Sequence, residues 1–135
     1  MAVFLNNKVG VKVNSVDLSD HATAVTINRT FDELEVTAMG DNGHKFVKGL
    51  EASSITIDFL NDEATSKTLQ TLNSVLGTNT TVTVKQTSAA TSATNPLYTM
   101  TCLVNNITPI NGAVGDLSTQ SVTWNVSGTV VVTTA

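Results

Sequence analysis

The chain brings serine, histidine and aspartate together once, in the run Asp17-Leu18-Ser19-Asp20-His21. These are the residue types of a hydrolytic triad, in which histidine accepts the serine proton and aspartate orients the histidine. In such triads the three groups come from separate elements of the fold, whereas here they are neighbours along the chain. We expect Asp17 and Asp20 to form a turn before a strand instead, because short polar side chains bond nearby backbone groups.

Metal or phosphate chemistry finds little support in the remaining residues. His21 and His44 lie far apart, and Cys102 is the sole cysteine, so the close ligand spacing of a metal site is missing. Gly40-Asp41-Asn42-Gly43 lacks the Lys-Ser/Thr pair of a phosphate-binding loop and is typical of a turn. The sequence therefore predicts a protein that is not an enzyme and that holds no cofactor or metal.

Composition favours one domain spanning residues 1–135, with polarity supplied by hydroxyls instead of charge. Charged residues make up 13% of the chain, against about 25% in ordinary domains. The net charge is -4, and the seven basic residues are scattered along the sequence, which disfavours tight nucleic-acid binding. A surface with so little charge suits burial against copies of itself; a threonine-rich domain that is simply soluble is the alternative.

Targeting signals are also missing from the sequence. Residues 1–6 lack the basic region and long apolar run of a secretion signal, and no segment approaches ~18 consecutive apolar residues. We therefore expect a protein that stays in the cytoplasm where it is made and does not associate with a membrane.

Strand-like alternation of apolar and polar residues recurs along the chain and predicts an all-β fold. The last such segment is the clearest, with Val122, Trp124, Val126 and Val130 on one face. Antiparallel sheets with one buried face follow, arranged as a β-sandwich or small barrel. Trp124 and Cys102 are expected in the core. The six predicted segments are 8–13, 23–31, 54–60, 80–86, 97–105 and 121–133.

One flanking α-helix is predicted over about 62–76. Asp62 can cap its first turn, Leu69, Leu72 and Leu76 follow helical spacing, and Gly77 suits a left-handed residue after its end. Residues 32–50 form a long loop or a hairpin arm, in which 35–39 would pair with 44–47 around Asp41-Asn42-Gly43. In a domain of this size such a segment is usually functional or disordered.

Several segments together resemble the major tail proteins, or tail tube proteins, of long-tailed bacteriophages. In the C-terminal part, a Gly115-Asp116 turn leads into Ser/Thr-Val alternation that ends at Ser127-Gly128, as is common in that family. Further likenesses cover most of the chain. One is the run that begins at residues 17–20 and extends to residues 39–41. The others lie at residues 49–59, 95–98 and 107–112.

The resemblance implies a structural virion protein. Members fold as a β-sandwich with one helix, form homohexameric rings and stack into a tube through which DNA passes during ejection without specific binding. The implied partners are other copies of the chain and further tail proteins: tape measure, terminator, and baseplate or tip. The implied location is the virion tail, assembled in the host bacterial cytoplasm.

The family also suggests site residues for this chain. A long loop commonly reaches the neighbouring ring, and the matching position here is 32–50, with candidates Glu33, Glu35, Met39, Asp41, His44, Lys45 and Lys48. Asp58 is a candidate for the channel wall, because it shares a polar strand face with Ser54 and Thr56 and its charge would repel phosphates. Asp58 on the outer surface or at a subunit seam is the alternative.

Two other classes of protein remain open at this level. A capsid decoration or head-tail connector protein would share the β-rich composition but would form a trimer or an isolated ring. A small carbohydrate-binding module would be a sandwich that exposes aromatic residues, and aromatics make up only 4% of this chain.

Overall fold

Ten β-strands, one α-helix and one 3-10 turn (Ser19–His21) form the part of the chain that the computed structural model describes, residues 8–65 and 67–134. In chain order they are β1 (Gly10–Val13), β2 (Val16–Asp17), β3 (Ala22–Asn28), β4 (Phe31–Glu35), β5 (Phe46–Glu51), β6 (Ser54–Leu60), α1 (Thr68–Val75), β7 (Asn79–Lys85), β8 (Leu97–Leu103), β9 (Thr119–Asn125) and β10 (Val131–Thr133).

The strands form three antiparallel sheets. One has five strands in the order β10-β8-β7-β1-β2, the second has the order β3-β6-β9, and the third is the pair β4-β5. The first two sheets face each other across the core. The predicted all-β fold with a single helix, arranged as a β-sandwich, is confirmed.

Alternation of side chains builds the core, as the sequence predicts. Ile55, Ile57 and Phe59 of β6 are fully buried, and Trp124 of β9 is buried beside them. They meet an opposing layer from β1, β7 and β8 that includes Val11, Val13, Val82, Met100 and Cys102. The expected core positions of Trp124 and Cys102 are confirmed.

The predicted strand 121–133 is wrong as a single strand. β9 ends at Asn125, and the chain then crosses from the three-stranded sheet to the outer edge of β8. Val126 bridges Cys102, and the Ser127 N–H donates to the Thr101 carbonyl at 2.7 Å. Gly128 makes the bend before β10. Its φ of 100° is a backbone conformation that residues with a Cβ atom rarely adopt. One alternating segment therefore serves two sheets.

The helix is shorter than predicted and begins later. Asp62 forms a turn instead of capping the helix: its Oδ1 accepts the Ala64 N–H at 2.9 Å, and its carbonyl accepts from Leu69. Helix α1 then runs over Thr68–Val75, with residue 66 outside the described part. Gly77 has φ of 84°, as predicted for the residue after the helix. Leu76 is half exposed and does not join the core.

A two-residue hairpin between β1 and β2 was missed by the sequence analysis. Asn14 and Ser15 have φ of 52° and 66°, the two positive values of a type I′ turn. The usual Asn-Gly signal is replaced here by Asn-Ser. The predictions for residues 1–6 lie outside the described residues, and no helix within the described part is long and apolar enough to cross a bilayer.

Candidate assembly surfaces

The long segment 32–50 is a β-hairpin arm that continues the β3–β6 pair. Asn28 of β3 lies opposite Ser54 of β6, and Phe31 of β4 lies opposite Glu51 of β5. Between the two ladders, the Ala52 N–H donates to the Thr30 carbonyl at 2.8 Å. The arm therefore leaves the sandwich along the direction of those strands. At about 3.3 Å per residue, the five residues of β4 alone extend it by roughly 16 Å.

The pairing within the arm differs from the prediction. The ladder ends with Glu35 opposite Phe46, and the Val36 N–H donates to the Lys45 carbonyl at 2.8 Å. Beyond this point the Asp41 carboxylate accepts the Ala38 N–H at 2.8 Å. The predicted pairing of 35–39 with 44–47 is confirmed only where residues 35 and 36 pair with residues 46 and 45, because this local turn withdraws residues 38–41 from the ladder.

Large apolar side chains are exposed on both faces of the arm. Leu34 and Val47 lie directly opposite each other on one face, and Phe46 lies on the other. A two-stranded hairpin with both faces in water has little stability of its own, and contiguous exposed apolar surface marks a contact site. The exposed apolar residues of the arm are Phe31, Leu34, Val36, Met39, Phe46, Val47 and Leu50.

The charged residues predicted for the arm pair with one another along its length. Glu33 lies opposite Lys48 in the ladder, and the Lys48 Nζ sits 4.8 Å from the centre of the Phe31 ring. Nearer the tip, His44 bonds to Glu35, and the Lys45 Nζ lies 2.8 Å from Asp41.

The Lys45 bond, aided by the Ala38 N–H, lowers the pKa of Asp41 below its usual value. Met39 is fully exposed at the tip. The structure thus brings all seven predicted arm residues onto one hairpin.

Glu51 fastens the base of the arm to the sandwich, a role that the sequence analysis did not find. Its side chain is 3% exposed, and its Oε2 accepts from the Ser53 hydroxyl and from the Val130 N–H at 3.1 Å. The Arg29 guanidinium lies 4.0 Å away. The Ser53 and Val130 bonds lower the pKa of Glu51. A carboxylate in a β-strand gives no sequence signal for a contact with a residue so distant in the chain.

The outer face of the three-stranded sheet carries small side chains, most of them polar. Across the three strands it shows the rows Ala24/Asp58/Ser121, Thr26/Thr56/Thr123 and Asn28/Ser54/Asn125. The hydroxyls of Thr56 and Thr123 bond to each other at 3.0 Å. Asp58 is the one ionisable side chain in these rows. The structure therefore places Asp58 on the solvent face of the sheet, opposite the buried Ile57 and Phe59.

His21 links the start of β3 to the loop before α1. Its Nδ1 lies 2.7 Å from Asp20, and its Nε2 lies 2.7 Å from Asp62. Lys67 bonds to Asp20 at 3.2 Å. The bonds to Asp20 first and Asp62 next raise the pKa of His21 despite its burial, and the bond from His21 lowers the pKa of Asp20.

The serine of that run does not face the histidine. The Ser19 hydroxyl bonds to Asp17 and to the Val11 carbonyl, while both ring nitrogens of His21 are occupied by carboxylates. Asp17 accepts the Ser19 N–H at 2.9 Å, which is the turn predicted from the sequence, and its pKa is lowered by the two bonds from Ser19.

Other features offer less for chemistry. No group of three or more metal-ligating side chains occurs in the described residues, and burial raises the pKa of Cys102 to about 11, so its thiol is unreactive. A groove of about 850 Å³ lies on the outer face of the five-stranded sheet. Lys8, Lys12 and Lys85 line it together with Asp17. Basic residues that are scattered in sequence are thus brought together beside two carboxylates, those of Asp17 and Asp20.

No protein-family model matches this chain, and a search of curated proteins finds no match either.

Proposed function

We propose that this chain is a tail tube protein that assembles into stacked rings around a channel for DNA, as its resemblance to the major tail proteins implies. The observation that carries the proposal is the arm: a formed hairpin whose two faces both expose large apolar side chains. Such surface needs a partner, and the arm continues the strands of the sandwich, so it reaches along the strand direction toward a copy stacked above or below.

The polar face of the three-stranded sheet supports the same proposal. A channel wall for DNA must be wetted without binding phosphates, and the rows around Thr56 offer hydroxyls and amides with a single carboxylate, Asp58. In this arrangement the sheets of neighbouring copies line the channel, and the five-stranded sheets face outward. The other tail components dock at the two ends of the tube.

The arm gives the sharpest test of stacking. Replacing Leu34 and Val47 by serine removes the opposed apolar pair from one exposed face while leaving the ladder and Glu51 in place. We expect an unchanged circular dichroism spectrum and the loss of tubes by electron microscopy and sedimentation. Leu103→Ser is the matched control, because Leu103 is a strand residue of similar exposure outside the arm.

The outcomes separate the alternatives. Tubes from the Leu34→Ser/Val47→Ser variant at the native yield would remove the arm from stacking. A native chain that stays a monomer at high concentration, with and without other virion components, would overturn the proposal. Isolated rings or trimers that never stack would favour a decoration or connector protein instead.

A further inference from the structure

Two asparagine-glycine pairs occur in the sequence, Asn42-Gly43 and Asn111-Gly112. An asparagine followed by glycine loses its side-chain amide more readily than other asparagines, because a glycine without a Cβ leaves its backbone nitrogen open to the preceding side chain. Asn42-Gly43 lies at the tip of the arm, and Asn111-Gly112 lies in the connector between β8 and β9. The fold restrains these two pairs to different degrees.

The reacting groups of Asn42-Gly43 are unrestrained. Both residues are exposed in a bend, and neither the Asn42 amide nor the Gly43 N–H bonds to any described residue. Gly43 has no positive φ, and a Cβ added there would meet no atom within 4 Å. The glycine nitrogen and the asparagine side chain can therefore approach each other without breaking a bond of the fold.

The reacting groups of Asn111-Gly112 are restrained. The Asn111 Nδ2 donates to the Thr119 carbonyl at 2.9 Å, so this amide must leave a hydrogen bond before it can react. Gly112 has φ of 131°, and the next residue, Ala113, donates its N–H to the Asp116 carboxylate at 3.1 Å. The second pair therefore serves as an internal comparison for the first.

We infer that Asn42 is a site of spontaneous covalent modification, at which the side-chain amide of the unassembled chain is converted to a carboxylate. The Gly43 backbone nitrogen attacks the Asn42 Cγ and gives up its proton, and the side-chain nitrogen leaves with that proton as ammonia. Water then opens the resulting cyclic imide. Breaking the bond from nitrogen to Cγ gives aspartate, whereas breaking the bond to the main-chain carbonyl carbon gives isoaspartate, whose main chain is longer by one carbon. Water is the only reactant consumed.

The new carboxylate would disturb the ion pair that shapes the arm tip. The Asp41 carboxylate accepts the Ala38 N–H at 2.8 Å, and its Oδ1 lies 2.8 Å from the Lys45 Nζ. A second carboxylate at residue 42 repels Asp41 and competes for Lys45. In isoaspartate the longer main chain also displaces Lys45, whose N–H donates to the Thr37 hydroxyl at 2.9 Å. The tip therefore changes both its charge and its shape.

The modification limits the time available for assembly, a consequence that rests on the proposed function. The arm is the proposed stacking contact, so a chain that joins a tube early does so with Asn42 intact. A chain that remains unassembled gains a negative charge at the arm tip and stacks less well. The modification itself does not depend on that function.

Mass spectrometry of the purified native chain tests the modification directly. Cleavage after Arg29 and Lys45 releases residues 30–45, in which Asn42 is the sole asparagine or glutamine. After incubation at mildly alkaline pH, we expect this peptide to contain aspartate and isoaspartate at residue 42. Conversion at Asn42 should exceed conversion at Asn111 by about fivefold or more, since Asn111 must first release a hydrogen bond. Equal conversion of the two residues, or none at Asn42, overturns the inference.

Two variants test the assigned chemistry. Asn42→Gln keeps an amide but has a side chain too long to form the same imide ring. Gly43→Ala keeps Asn42 and places a Cβ beside the attacking nitrogen, in a position where the fold has room for it. Both variants should retain their amide during the same incubation. Conversion of Asn42 in Gly43→Ala at the native rate would overturn the attack by the Gly43 nitrogen.

The protein concentration at which tubes appear tests the effect on assembly. We expect Asn42→Asp and the incubated native chain to need about two- to fivefold more protein than the fresh native chain, because an ion pair at the tip is weakened. Incubated Asn42→Gln should match the fresh native chain. A converted chain that assembles at the fresh native concentration overturns the time limit. Conversion at Asn42 in a native chain that never forms tubes would instead overturn the proposed function and leave the modification site standing.

Discussion

At the scale of single residues, His21 holds two parts of the chain together through charge. It lies between Asp20 and Asp62, and Lys67 is the other charged group that completes the cluster. The raised pKa of His21 means that its protonated form stabilises the fold. That contribution is fully present below the ordinary value of 6.5 and is lost as pH rises through the raised pKa.

We therefore predict that the free energy of unfolding falls through His21 as pH rises above the ordinary value of 6.5 and through the raised pKa. The loss should be about 1 kcal/mol, since the group makes two charge-assisted bonds close to the surface. Denaturant titrations of the native chain and of His21→Leu across this range give the measurement. Parallel pH profiles for the two proteins would contradict the prediction.

Residues with local roles were predictable from the sequence, and those with distant partners were not. Gly77 after the helix, the Asp17 turn and the buried Trp124 each follow from neighbours or from periodicity. Glu51, whose carboxylate binds the Val130 N–H, and Arg29, whose guanidinium donates to the Val130 carbonyl, carry no such signal. Their partners become neighbours only through the fold.

At the scale of elements, periodicity located strands but not the sheets to which they belong. Residues 121–133 alternate except at Val131, yet the chain changes sheets at Val126, because the same inward face can serve either layer of a sandwich. The predicted helix, 62–76, was longer than the observed helix, Thr68–Val75, for a related reason. Asp62 and Glu63 suit a helix start in sequence, but the carbonyl of Asp62 and the side chain of His21 hold that segment as a turn.

The change of sheets depends on Gly128. Its φ of 100° is unfavourable for any residue with a Cβ, although a Cβ there would meet no atom within 4 Å. Gly128→Ala should therefore lower the free energy of unfolding by about 1–2 kcal/mol through backbone strain alone. Gly43→Ala is the matched control, since it also has open space but no positive φ. Equal stability of the two variants in urea would show that the bend tolerates a side chain.

At the scale of the whole molecule, the arm and the polar sheet face have separate roles in the proposed assembly. The arm leads out of the β3–β6 pair, so in the proposed assembly the stacking contacts and the channel wall would belong to the same strands. The low charge of this face agrees with the composition of the chain, which has only seven basic and eleven acidic residues. The rows of the face contain one carboxylate, that of Asp58. Which residues share this face is set by the register of β3, β6 and β9, and register is not visible in a single sequence.

If the polar face lines the channel, Asp58 repeats around every ring as a circle of negative charge. Asp58→Lys should then slow DNA ejection while tubes still form, because a ring of cations attracts phosphates. The effect should be largest at low ionic strength and should fade as salt rises, since each contact displaces bound counterions. Glu63→Lys, an exposed acid before the helix and outside this face, changes the net charge equally and should not alter ejection. Ejection from Asp58→Lys particles at the native rate in low salt would place Asp58 on the outside or at a seam, and the channel wall would then have to come from another face.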